Sequence, residues 1–70
     1  MTGHYEVTIR GRLTPALASE FELLDLTATP KAPETVLHGS IEDQAALFGL
    51  LRRIESLGLE LLEVHRVVGS

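Results

Sequence analysis

The chain has 70 residues, enough for one domain over residues 1–70. It has no cysteine, which excludes disulfides and thiolate metal sites, and its formal net charge of −4 argues against nucleic acid as the main partner. No apolar run approaches the roughly 18 residues that a membrane span needs, and the first residues lack the basic and apolar regions of a signal peptide. We therefore expect a cytoplasmic protein that does not bind membranes.

The segment from His4 to Leu13 alternates between apolar and polar side chains. A period of two predicts a strand with one buried face and one face in water. The inward face is predicted to carry Tyr5, Val7, Ile9, Gly11 and Leu13, and the outward face His4, Glu6, Thr8, Arg10 and Arg12.

A short helix is predicted after this strand. Thr14 is a good N-cap, and proline is favoured at the first helical position, which Pro15 would occupy. We expect the helix to end near Glu22. The inward stripe should consist of Leu17, Phe21 and Leu24.

The period then returns to two and predicts a β-hairpin. Its first strand runs from Leu24 to Lys31, and its second from Thr35 to Ile41, with a proline-containing turn over residues 30–34. The inward residues are predicted to be Leu24, Leu26 and Ala28 in the first strand and Leu37, Gly39 and Ile41 in the second.

A second helix is predicted from about Glu42 to Leu57, because apolar residues recur there at helical spacing. Gly58 would end it in a left-handed conformation. Gly49 lies inside this helix and costs roughly 1 kcal/mol relative to alanine. Close packing of the two helices, simple tolerance, or the close approach of a partner backbone or a ligand could each explain it. The last strand, Leu59 to Val68, has apolar residues on both faces.

The predicted order is strand, helix, strand, strand, helix, strand. This is an α+β fold of the ferredoxin-like βαββαβ type, with a four-stranded antiparallel sheet of order 4-1-3-2 and both helices on one face. The alternative is a three-stranded sheet whose last segment swaps to a partner.

Four segments of the chain match a recognisable pattern, namely Arg10-Gly11-Arg12-Leu13, Thr14-Pro15, Asp43-Gln44-Ala45-Ala46-Leu47 and Leu57-Gly58-Leu59. With these segments, nearly the whole chain resembles a group of short proteins of high-GC actinobacteria, and the resemblance implies no activity. The topology is also similar to that of ACT-type regulatory domains, which pair through sheets or helices.

The outward face of the sheet offers one candidate ligand site. Arg10 could hold an anion there, with His38 or His65 as an acid or base. The plainer interpretation is a solvated polar face. No histidine spacing predicts a metal site, and no motif predicts a cofactor.

The last strand offers a candidate interface. If Leu62 and Val64 point inward, Leu59, Leu61 and Val67 join Val36 on the outward face. An exposed apolar patch with a polar rim is typical of a contact surface. Since so small a domain gains stability from self-association, we expect a homo-oligomer, most simply a dimer, that uses the sheet face or the edge of the last strand.

Three functions remain open at this point. The sequence favours a non-enzymatic interaction or regulatory module over an enzyme, because no catalytic motif is present. The second hypothesis is binding or turnover of a small anionic ligand on the sheet face. The third is an accessory subunit of a larger enzyme, which would make a heterologous protein the partner.

Overall fold

The computed structural model describes residues 3–68; Met1, Thr2, Gly69 and Ser70 lie outside the described residues. Six elements follow in the predicted order. They are β1 (Gly3–Arg10), α1 (Pro15–Glu22), β2 (Leu26–Lys31), β3 (Glu34–Ile41), α2 (Gln44–Ser56) and β4 (Leu61–Val67).

The four strands form one antiparallel sheet in the order β2-β3-β1-β4, which is the predicted order 4-1-3-2 counted from the other edge. The predicted four-stranded sheet is therefore confirmed. Because β4 pairs with β1 of its own chain, the alternative three-stranded sheet is not adopted. The strands β2 and β4 are the two open edges.

Both helices contribute to one core, which lies on a single face of the sheet. Phe21 of α1 is fully buried, and α2 buries Leu50 and Ile54. Burying a large aliphatic or aromatic side chain contributes about 1.5–3 kcal/mol, so these three residues hold the helices on the sheet. The whole core consists of Val7, Ile9, Phe21, Leu26, Leu37, Ile41, Leu50 and Ile54.

The helix ends follow from local chemistry. The N–H of Leu17 donates to Thr14 Oγ1 at 3.2 Å, which confirms Thr14 as the cap of α1. The cap of α2 is Asp43, whose Oδ1 accepts from the Ala46 N–H at 2.8 Å. The predicted start at Glu42 is therefore too early, because Asp43 itself is extended. Gly58 has a φ of +76°, as its predicted role requires.

Three predicted strand boundaries are wrong. β1 ends at Arg10, where Gly11 turns the chain with a φ of +91°. Leu24 belongs to neither the stripe of α1 nor β2: it lies in the turn between them and is 51% exposed. β4 begins at Leu61, two residues later than predicted. β2 ends at Lys31 as predicted, but Pro30 pairs with Thr35 inside the strand, so the turn is shorter than the predicted residues 30–34.

The face assignment of β4 also needs correction. Thr8 pairs with Glu63 but Ile9 pairs with Leu61, so β4 has one extra residue, Leu62, at a β-bulge. Partners in a ladder share a face, and Ile9 is fully buried beneath the helices, so Leu61 lies on the helix side. Leu59 packs against the core. The sequence had predicted that Leu59 and Leu61 join Val36 on the outward face, and this prediction is wrong.

Candidate functional site

The outward face of the sheet carries a polar row that crosses all four strands. The register places Thr27, His38, Glu6 and His65 side by side. His65 Nε2 lies 3.1 Å from Glu6 Oε1, and its Nδ1 lies 3.5 Å from Glu63 Oε1. The His65 ring thus lies between two carboxylates.

His38 has different neighbours from His65. Its Nε2 shares a hydrogen bond of 3.0 Å with Thr29 Oγ1. Its ring centroid lies 6.3 Å from that of His4. Glu6 is the cross-strand partner of both His38 and His65, so the row is a carboxylate flanked by two imidazoles. The sequence analysis had placed Glu6 on this face but had not recognised its central position, which depends on the register.

Arg10 is not part of this row. It is four residues from Glu6 along β1, a separation of about 13 Å at the usual rise of a strand. Its Nε lies 3.1 Å from Glu60 Oε1 in an exposed ion pair. The structure therefore does not bring Arg10, His38 and His65 into one cluster, and an anion-binding role for them stays a prediction. Within residues 3–68, no group of three or more His, Asp or Glu side chains is arranged to hold a metal ion.

The edge formed by β4 is the most exposed part of the sheet. Of its seven residues only Val64 is half-buried, and the others are exposed. Leu61 is 42% exposed, and Leu62 and Val67 are also large apolar side chains in contact with solvent. Val67 pairs with His4 on the outward face, as does Val36 with Thr8, but the two residues lie in different rows.

A groove separates α2 from this edge, and we call it the β4 groove. Phe48 and Leu51 of α2 line one side, and Leu59 and Leu61 line the other. Phe48 is 49% exposed there. The structure therefore places Leu59 and Leu61 beside the open edge of the sheet, together with an exposed aromatic ring.

A second groove lies between the end of α1 and the side of α2, and we call it the Gly49 groove. Sequence reasoning did not predict it. The signal that could have indicated it is the pair Leu23-Leu24, two large apolar residues at a position where the chain turns between elements. The residues that line it are Glu20, Leu23, Leu24, Asp25, Leu26, Ser40, Ile41, Glu42, Ala46, Gly49, Leu50 and Arg53.

Comparison with known proteins identifies the family and no relative of known activity. Neither a curated protein nor a solved structure matches the chain. In the part of the chain that the structure describes, neither helix has the length and hydropathy to cross a bilayer. A family model described as "Domain of unknown function (DUF8691)" matches residues 4–65, from the first strand to the middle of the last. The chain therefore belongs to the DUF8691 family.

Proposed function

We propose that the chain is a non-enzymatic interaction module that forms a homodimer through the open edge of β4. The observation that carries this proposal is the exposure of β4, which leaves Leu61, Leu62 and Val67 in contact with solvent. An open edge also has unpaired backbone N–H and C=O groups, and these can add a strand from another chain.

The two edges of the sheet differ in how well they resist such pairing. β2 carries Pro30, which has no N–H to donate, and Lys31, whose charge opposes the approach of another strand. β4 has neither a proline nor a lysine. The bulge at Leu62 interrupts only its first residues. Pairing between copies is therefore favoured at β4 over β2.

The sequence of β4 is suited to pairing with itself in antiparallel orientation. If Val64 lies opposite Val64 of a second copy, Glu63 lies opposite His65 and Leu62 lies opposite Arg66. The two residues of each pair then lie on the same face of the extended sheet. In one pair, the Glu63 carboxylate lies opposite the His65 imidazole. Such a two-fold contact uses the same surface on both copies.

The β4 groove extends this interface onto the helix side. It runs along the same edge, so a second copy paired at β4 would cover Phe48 and Leu61 as well as the strand. Aromatic residues near the centre of an interface contribute much of the binding energy. Backbone pairing and apolar burial would then act together.

The finer predictions from the sequence belong to this proposal. A ferredoxin-like arrangement supports it by analogy, as do ACT-type domains, which share that topology and pair through sheets or helices. Actinobacterial origin and a cytoplasmic location stay predictions. The hypothesis of an accessory subunit stays open too, because an edge strand can also accept a strand from a different protein.

Single cysteine variants test the interface directly, because the chain has no cysteine of its own. Val64→Cys would place two thiols opposite each other across the two-fold axis, where an oxidant should join the copies covalently. Val36→Cys is the matched control. It lies in the middle of the outward face, opposite Thr8 and Thr29, away from β4.

We expect Val64→Cys to yield a covalent dimer on non-reducing gels and Val36→Cys to remain uncrosslinked. Light scattering of the unmodified chain behind size exclusion should give twice the monomer mass. Crosslinking of Val36→Cys alone would indicate dimerisation through the sheet face and would refute the β4 interface. A monomeric mass at every concentration would refute self-association altogether.

A further inference from the structure

No contact among residues 3–68 requires a glycine at position 49. It lies in α2, where glycine costs about 1 kcal/mol relative to alanine. Apart from the neighbouring backbone of α2 itself, a Cβ added to it would meet no heavy atom of the described residues within 4 Å. Close packing of the two helices, one explanation open from the sequence, is therefore excluded. The position is exposed and lines the Gly49 groove, where a missing side chain leaves room for an occupant.

The opposite wall of the groove departs from local rules in two further ways. Leu23 is 85% exposed and Leu24 is 51% exposed, although turns usually carry polar residues. The next residue, Asp25, has a φ of +63°, a left-handed conformation that few residues other than glycine adopt, although aspartate adopts it more readily than most. Such departures from local preference tend to gather at functional sites. Here they meet Gly49 across one groove.

The charges around the groove indicate the chemistry of its occupant. Four charged residues line it: Glu20, Asp25, Glu42 and Arg53. The Arg53 guanidinium is already paired with Glu20, through an Nε–H that donates to Glu20 Oε1 at 2.7 Å. Asp25 and Glu42 have no such cation among the lining residues. The rim is therefore acidic around an apolar floor.

A second copy of this chain is a poor occupant for an acidic groove. The chain has 10 Asp and Glu against 6 Lys and Arg, so a second copy has few basic side chains to place against an acidic groove. One of those six, Arg53, belongs to the groove itself, and another, Arg10, is paired with Glu60. The complementary partner carries apolar and basic side chains together.

We propose that the Gly49 groove binds a basic amphipathic segment of another protein. Its apolar side chains lie against Leu24 and Leu50 over Gly49, and its lysine or arginine side chains reach Asp25 and Glu42. This second surface is separate from the β4 edge, so the inference goes beyond the homodimer and does not depend on it.

The test uses two fluorescently labelled model peptides and two variants of the full chain. One peptide has leucine on one face of a helix and lysine on the other; in the second, glutamate replaces every lysine. Gly49→Gln fills the groove without a change of charge. Ala45→Gln is the matched control, since Ala45 is also exposed on α2 but lines neither groove.

Fluorescence anisotropy should show binding of the lysine peptide and none of the glutamate peptide. Gly49→Gln should weaken binding of the lysine peptide by about tenfold or more, which corresponds to about 1.4 kcal/mol, and Ala45→Gln should leave it unchanged. Equal affinity of both variants for the lysine peptide would show that the peptide does not bind in the Gly49 groove and would overturn the proposal. Equal binding of the two peptides would do the same.

A smaller substitution separates binding from folding. Gly49→Ala should raise the melting temperature, because alanine has the higher helix propensity. It should nevertheless weaken binding of the lysine peptide. A purely structural role for Gly49 predicts no loss of affinity on such stabilisation. If Gly49→Gln instead halves the solution mass, the groove holds a second copy and the proposed partner is wrong.

Discussion

At the residue scale, Gly39 is the glycine that the fold needs most. It lies on the buried face of β3, between Tyr5 of β1 and Leu26 of β2. A Cβ at this position would lie well inside van der Waals contact with the backbone carbonyl oxygen of Asp25 and 3.1 Å from Leu26 Cδ2. A backbone atom cannot move aside as a flexible side chain can.

We predict that Gly39→Ala lowers the free energy of unfolding by about 1–3 kcal/mol, the usual cost of overpacking a core. Urea denaturation followed by circular dichroism measures it. Ser40→Ala is the control, because Ser40 is the next residue along β3 and is exposed. Equal stability of Gly39→Ala and the unmodified chain would mean that the turn around Asp25 can shift, and that its carbonyl oxygen does not restrict position 39.

At the scale of the element, α2 depends on its cap. Asp43 Oδ1 accepts from the Ala46 N–H, and this side chain also places a negative charge at the positive end of the helix dipole. Asp43→Ala should therefore cost about 1 kcal/mol in the free energy of unfolding. Asp43→Asn keeps an acceptor oxygen and should retain most of that stability. If both variants were equally destabilised, the hydrogen bond would not be the cause.

The strands show what sequence periodicity can and cannot predict. The alternation in β1 and β3 predicted their buried residues except Thr35, because each of these strands is regular and has one face in the core. In β4 the alternation misled, because the bulge at Leu62 transfers Leu61 to the other face and leaves no mark in the sequence pattern. The order of the strands followed from topology and did not depend on register.

The candidate sites were predicted less well than the fold for the same physical reason. Alternation placed Glu6, Arg10, His38 and His65 on one face, but only the register shows that the two imidazoles flank Glu6 and not Arg10. The Gly49 groove depends on where the end of α1 meets α2, which no local pattern encodes.

At the scale of the whole molecule, stability and self-association should be coupled. A chain of about 60 residues buries only roughly 60% of its unfolded surface, so a small domain gains proportionately more from an interface. Because only folded chains can form the dimer, the melting temperature must rise with the protein concentration. A tenfold increase corresponds to about 1.4 kcal/mol per dimer, or about 5 °C for two domains of this size.

The proposed dimer therefore predicts that the melting temperature rises by about 5 °C over a tenfold range of protein concentration. Thermal unfolding monitored by circular dichroism measures this rise. Leu62→Lys should abolish this dependence, because Leu62 lies outside the core and a lysine there would stand opposite Arg66 of the second copy. Thr27→Lys is the control: it adds the same charge to the other edge strand, at an exposed position, and should keep the dependence.

A melting temperature that does not change with concentration in the unmodified chain would show that the exposed β4 edge is stable without a partner copy. If both lysine variants lost the concentration dependence of the melting temperature equally, net charge and not pairing at β4 would control assembly.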